Sequence, residues 1–105
     1  MNDATKPDTH VTLINVFEVP EGAIDEAISS WKTGRNFLQK QPGYVSTALH
    51  KSIAPGAKFA LVNIAIWESP AAFKAAIAAM NAADTSPKID GLRYTPGLYT
   101  VIARD

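Results

Sequence analysis

The chain contains no cysteine, which excludes a disulfide framework, a thiolate nucleophile and any sulfur-ligated metal. Histidine is scarce: His10 and His50 are the two present, too few to build a usual metal site by themselves. Net charge is missing as well. Ten basic residues balance ten acidic ones, so no overall field draws the chain to nucleic acid or acidic lipid. No apolar run approaches the ~18–20 residues of a membrane span, and the N-terminus lacks a basic segment followed by an apolar one. The expectation from these absences is a soluble, cytoplasmic protein without nucleic-acid or membrane partners. Its 105 residues fit one domain with a single core.

The most apolar stretch is Lys58 to Trp67, which reads as a strand. Alternate side chains of a strand point to opposite faces. Phe59, Leu61, Asn63, Ala65 and Trp67 therefore share one face, and Ala60, Val62, Ile64 and Ile66 the other. Both faces are apolar, so both are expected to be covered. Asn63 is the exception, and a buried amide without a partner costs about 1–3 kcal/mol.

Around this strand the chain reads in order. Residues 1–10 are polar and aperiodic, expected as a flexible N-terminal arm; residues 11–105 are expected as the folded domain. Val11 to Val19 is a strand with Val11, Leu13, Asn15 and Phe17 on one face. Pro20-Glu21-Gly22 opens a helix with acidic residues early, as the macrodipole favours. Ile24, Ala27, Ile28, Trp31 and Leu38 form its apolar stripe, with Arg35 set in the middle, and Gln41-Pro42-Gly43 stops it. Tyr44 to Ile53 is a second strand, joined through Ala54-Pro55-Gly56-Ala57 to the apolar one as a hairpin. Ser69 is suited to cap a helix beginning at Pro70, with Phe73, Ala76, Ile77 and Met80 on its buried stripe. Asp84 to Gly97 is irregular, with room for one short helical turn, and Leu98 to Ala103 is a last strand.

The order βαββαβ is that of an α+β, ferredoxin-like fold: a four-stranded antiparallel sheet with two helices on one face. The opposite face of the sheet then lacks a cover, and exposed apolar patches of that size mark interfaces. A homodimer through the sheet face is expected, with the Asn63 and Trp67 face turned to the helices.

Phe17-Glu18-Val19-Pro20, Trp31, Gln41-Pro42-Gly43-Tyr44, Leu49-His50-Lys51, Val62 to Ser69 and Ala72-Phe73 resemble the antibiotic biosynthesis monooxygenase domain, over about residues 11–103. The resemblance implies a dimeric α+β barrel with a pocket in each subunit between helices and sheet. That family includes cofactor-free oxygenases acting on aromatic polyketides, haem degraders, and proteins without an established reaction. Asn63 and Trp67 match the Asn-x-x-x-Trp of the polyketide oxygenases, which implies a catalytic role for both. The tyrosine those enzymes carry six residues after the tryptophan is Phe73 here, and their arginine after the second helix has no match. The haem degraders combine a first-strand asparagine, the tryptophan and a second-helix histidine that ligates iron. Asn15 and Trp67 match the first two, but no histidine follows His50, so haem is not the expected ligand.

Each of these residues also has a purely structural reading. Trp67 and Trp31 suit core packing, and Asn15 and Asn63, on adjacent strands, could bond each other. Arg35 either caps helix carbonyls or aims its fork at an anionic phenolate. On the functional reading, Asn15, Trp31, Arg35, Phe73 and Ile77 are the candidate substrate-binding residues. No flavin or nucleotide fingerprint is present, so no bound cofactor is expected. Electrons for oxygen chemistry would come from an electron-rich phenol or hydroquinone. No strong general base is visible, which keeps open the alternative of a non-catalytic dimeric module that binds a small aromatic molecule.

Overall fold

The structure, a computed structural model, describes residues 10–83 and 88–105; the expected N-terminal arm falls almost wholly outside them. Six elements follow in the expected order. They are β1 (Val11–Glu18), α1 (Ile24–Leu38), β2 (Tyr44–Lys51), β3 (Leu61–Trp67), α2 (Pro70–Ala83) and β4 (Arg93–Tyr99). The sheet is antiparallel with strand order β2-β3-β1-β4, the ferredoxin-like arrangement. Its two central strands are the two most apolar ones.

On β3, Leu61, Asn63, Ala65 and Trp67 are buried, Val62 and Ile66 are half-buried and Ile64 is 37% exposed. The register sets Val11, Leu13, Asn15 and Phe17 of β1 against Trp67, Ala65, Asn63 and Leu61. Leu13 and Phe17 are buried with them, and so are Ala27 of α1 and Ala76 of α2. The Asn63 and Trp67 face therefore meets the helices. The open face has Ile64 at its centre, opposite Ile14 on β1 and Ala48 on β2.

The core divides in two. Leu13, Ala65, Trp67 and Ala76 form one cluster, joined by Tyr44, Ala72 and Phe73; Phe17, Ala27 and Leu61 form the other, joined by Ile28, Trp31 and Leu49. Asn15 and Asn63 face each other across β1 and β3 between the two clusters.

Several element ends differ from the sequence reading. Lys58, Phe59 and Ala60 lie before β3, and Phe59 is exposed with the Lys58 ammonium 5.5 Å from its ring centre. The Ser52 N–H donates to Ala60 O at 2.9 Å and closes the hairpin there, beyond the end of β2 at Lys51. The last strand starts at Arg93 rather than Leu98 and stops at Tyr99. Pro96 and Gly97 argued against a strand, but β4 is an edge strand, where a proline's missing N–H can face outward. Within Asp84 to Gly97 the described part holds a turn, with the Leu92 N–H on Ile89 O at 3.2 Å and Gly91 at φ +81°; residues 84–87 lie outside the described residues. Helix α1 starts at Ile24, after a turn through Gly22, so Glu21 precedes it and Asp25 and Glu26 supply its early negative charge.

Two local features fix α2 on the sheet. The Ser69 hydroxyl accepts from the Ala72 N–H at 3.0 Å, with Pro70 first in the helix. Gly43, ahead of β2, has φ +88°, and its carbonyl accepts from the Glu68 N–H at 2.8 Å. A Cβ on Gly43 would collide with the Ala72 Cβ. Gly43→Ala combines a left-handed backbone with a blocked helix contact, and its expected cost is about 2–3 kcal/mol of stability, read from the urea midpoint.

Candidate active site

The helices are held off the middle of the sheet, and a cavity of about 890 Å³ lies between them. Its origin is visible in the side chains. The buried contacts from the helices are alanines, Ala27 and Ala76, and the β3 position between Asn63 and Trp67 is Ala65. All seven candidate site residues line this one cavity: Asn15 and Asn63 from the central strands, Trp67 at the end of β3, Trp31 and Arg35 from α1, Phe73 and Ile77 from α2. Cavities of this size with mostly apolar walls and a few convergent polar groups are the usual form of a small-molecule site.

Asn63 is 8% exposed. The Thr47 hydroxyl on β2 donates to its Oδ1 at 2.7 Å. With the oxygen held, the Nδ2 amide is the end that can donate to a guest in the cavity. The two asparagines do not bond each other. Asn15 Oδ1 is buried and has no hydrogen-bond partner among the described residues, an uncompensated acceptor of the kind that calls for a functional explanation.

Trp67 is 1% exposed and is gripped by two rings. Tyr44 stands edge-on at 5.6 Å between centroids and Phe73 at 5.7 Å, within the range where edge-to-face pairs add ~0.5–1.5 kcal/mol beyond burial. The indole thus has one fixed orientation against the cavity. Arg35 does not cap its helix. Its guanidinium lies over Trp31, 5.4 Å from the ring centre, and Nε donates to Asn36 Oδ1 at 3.2 Å. The carbonyl of Arg35 is satisfied instead by the Gln39 N–H. This corrects the capping reading and leaves the terminal nitrogens of the fork for another partner.

His50 does not line the main cavity. Its Nδ1 is 3.3 Å from Val62 O, and the ring sits on the outer strand β2. No group of three or more metal-ligating side chains comes together among the described residues. No histidine is among the described residues that line the cavity, so that lining offers no imidazole to a histidine-ligated haem. No helix among the described residues is long and apolar enough to cross a membrane.

The profile of one family, described as antibiotic biosynthesis monooxygenase, matches residues 10–81. The chain belongs to that family. Among solved structures, it is similar to a candidate monooxygenase from Shewanella loihica PV-4, with 45% identity, coverage of 91% of this chain and 97% of that one, and a TM-score of 0.85. It is also similar to SnoaB, a cofactor-independent oxygenase from Streptomyces nogalater, at 27% identity, 91% and 96% coverage and a TM-score of 0.70. The haem degrader MhuD from Mycobacterium tuberculosis shares the fold at 22% identity, 90% and 98% coverage and a TM-score of 0.66. No curated protein matches the chain significantly.

Sequence reasoning missed Thr47, Tyr44 and Lys88, which also line the cavity. Thr47 carries no signal by itself; its role follows from the β2–β3 register, which sets it opposite Ala65 on the inner face, diagonal to Asn63. Tyr44 was legible only as part of the Pro-Gly-Tyr block. Replacing Thr47 with valine keeps the shape and removes the donor to Asn63. Thr47→Val is expected to lower stability by about 1–3 kcal/mol through the unpaired carbonyl, read by urea denaturation.

Proposed function

We propose that this protein is a cofactor-independent monooxygenase that oxidises a phenolic or hydroquinone-type aromatic molecule with dioxygen. The observation that carries the reading is the Asn63 amide, fixed by Thr47 on the floor of a large, mostly apolar cavity beside an immobilised Trp67. Family membership and the likeness to SnoaB support it. In this reading the ring lies against Trp67 and Trp31, and Asn63 Nδ2 donates to the ring oxygen. A donor placed where negative charge develops favours the phenolate, and the phenolate passes an electron to dioxygen. For a ring with a reactive CH₂, as in an anthrone, the balance is CH₂ + O₂ → C=O + H₂O: one oxygen enters the product, the other leaves as water, and all four electrons come from the substrate. Asn15, Phe73 and Ile77 complete the walls.

Phe73 in place of a tyrosine, and the lack of a carboxylate or histidine among the described lining residues, favour the second reading, a dimeric module that binds such a ring without turning it over. Oxygen uptake on a panel of anthrones and hydroquinones, with chelator present, separates the two. Asn63→Ala is expected to lower turnover by roughly 10²–10³ if its amide acts as an oxyanion donor. Trp67→Phe lowers it too, and Phe73→Tyr raises it. Unchanged rates in both Asn63→Ala and Trp67→Phe put the chemistry elsewhere; no turnover on any ring favours the binding module.

The working unit in this reading is a cytoplasmic homodimer joined through the open sheet face. Val62, Ile64 and Ile66 form the middle row of that face, between Thr12, Ile14 and Val16 on β1 and Ser46, Ala48 and His50 on β2. Ile64→Asp would bury an unpaired charge in such an interface. The expected product is a monomer or an unfolded chain by light scattering, and a soluble dimeric variant counts against this interface.

A further inference from the structure

The chain is neutral overall, but the surroundings of the cavity are not. Among its described lining residues are two cations, Arg35 and Lys88, and no acid. A second, shallower groove of about 460 Å³ runs along the outer strand β2 beside α1. Its described lining holds Lys32, Arg35, His50 and Lys51, again with no acid. Trp31, Arg35 and Thr47 line both spaces, so the two adjoin, and Thr47 is also the residue that holds Asn63. Arg35 stands at the junction. It is half-buried, stacked on Trp31, and has no acidic partner among the described residues. A stacked guanidinium is pre-ordered and presents a planar fork that matches a carboxylate. Exposed lysines behind it contribute attraction and steering more than affinity.

We propose that the molecule bound here carries an acidic group separate from its reacting ring. Its ring lies over Asn63 in the main cavity, and its carboxylate is received by Arg35 where the cavity meets the groove. The inference rests on the reading of the main cavity as the ring site and adds the substituent that selects the ligand. Arg35 is then a specificity residue rather than part of the chemistry, and Lys32 and Lys51 form the approach to it.

The test compares a hydroxynaphthoic acid, its methyl ester and the parent naphthol by quenching of tryptophan fluorescence, since Trp31 and Trp67 both line the cavity. The acid is expected to bind roughly tenfold or more tightly than the ester at low salt, with the gap shrinking as salt is raised. Arg35→Gln closes the gap, so that acid and ester bind alike, and an unchanged urea midpoint shows that the fold is intact. Arg35→Lys keeps part of the preference, and Lys32→Gln with Lys51→Gln weakens the salt dependence and keeps most of it. Absence of acid binding, equal binding of acid and ester by the unmodified protein, or a preference that survives Arg35→Gln overturns the proposal. Oxygen uptake on the same acids separates it from the oxygenase reading: acid-selective binding without uptake leaves the carboxylate site standing and removes the reaction.

Discussion

The structure turns on one pair of amides. Asn15 and Asn63 face each other across the two central strands, at the place where a core of this fold would otherwise be continuous. An apolar pair there would join Leu13 to Phe17 and Ala65 to Leu61 in one sheet of packing. The amides forbid it, because a helix side chain laid over them would bury their donors without partners. The buried positions of the helices are alanines, Ala27 and Ala76, and a cavity opens in the gap. The same constraint recruits Thr47, which satisfies one amide oxygen and fixes which end of Asn63 faces inward. Seven apolar residues are buried among those described, three of them alanine. That is a thin core, so much of the stability must come from the half-buried shell.

Much of this was legible in the chain. The alternation in β1 and β3 gave the faces correctly because both strands are central, where burial on the inner face enforces the pattern. The Ser69-Pro70 start of α2 was readable because capping is a local interaction. Three things were not. The length of β3 was overestimated because Phe59 favours strands and Ala60 continues the apolar run, whereas the hairpin closes at the Ser52–Ala60 hydrogen bond and β3 begins only at Leu61. The course of β4 was obscured by Pro96 and Gly97, whose usual meaning depends on whether a strand is central or at an edge. The place of Arg35 was left open because a basic residue in the last turn of a helix can serve the helix end, and only the position of Trp31 beneath its guanidinium decides where the side chain lies.

One half of the site is held by aromatic packing and the other by a hydrogen bond. Trp67 has two edge-on neighbours, and one of them, Phe73, sits in the first turn of α2, whose approach is set by Gly43 against Ala72. The tryptophan, the helix and the glycine turn are therefore one mechanical unit. Asn63 belongs to a different unit, built from sheet register and Thr47. A substitution in one unit can move a wall of the cavity while leaving the other in place, so effects on ring position and on amide orientation are separable.

The two margins of the sheet also decide how readily a further strand could add to it. On one side, the register of β2 shifts between Tyr44 and Ser46, a bulge that leaves Val45 outside the ladder. On the other, β4 carries Pro96 opposite Asn15. A bulge twists a margin away from a flat template, and a proline takes a donor out of the ladder. Neither strand is a good seat for the next strand of a growing ribbon. Lateral growth, which has no natural end, is disfavoured on both sides, and stickiness is confined to the flat of the sheet. An edge-to-edge ribbon is therefore a poor option for this sheet, and its exposed apolar surface lies on the flat, around Ile64.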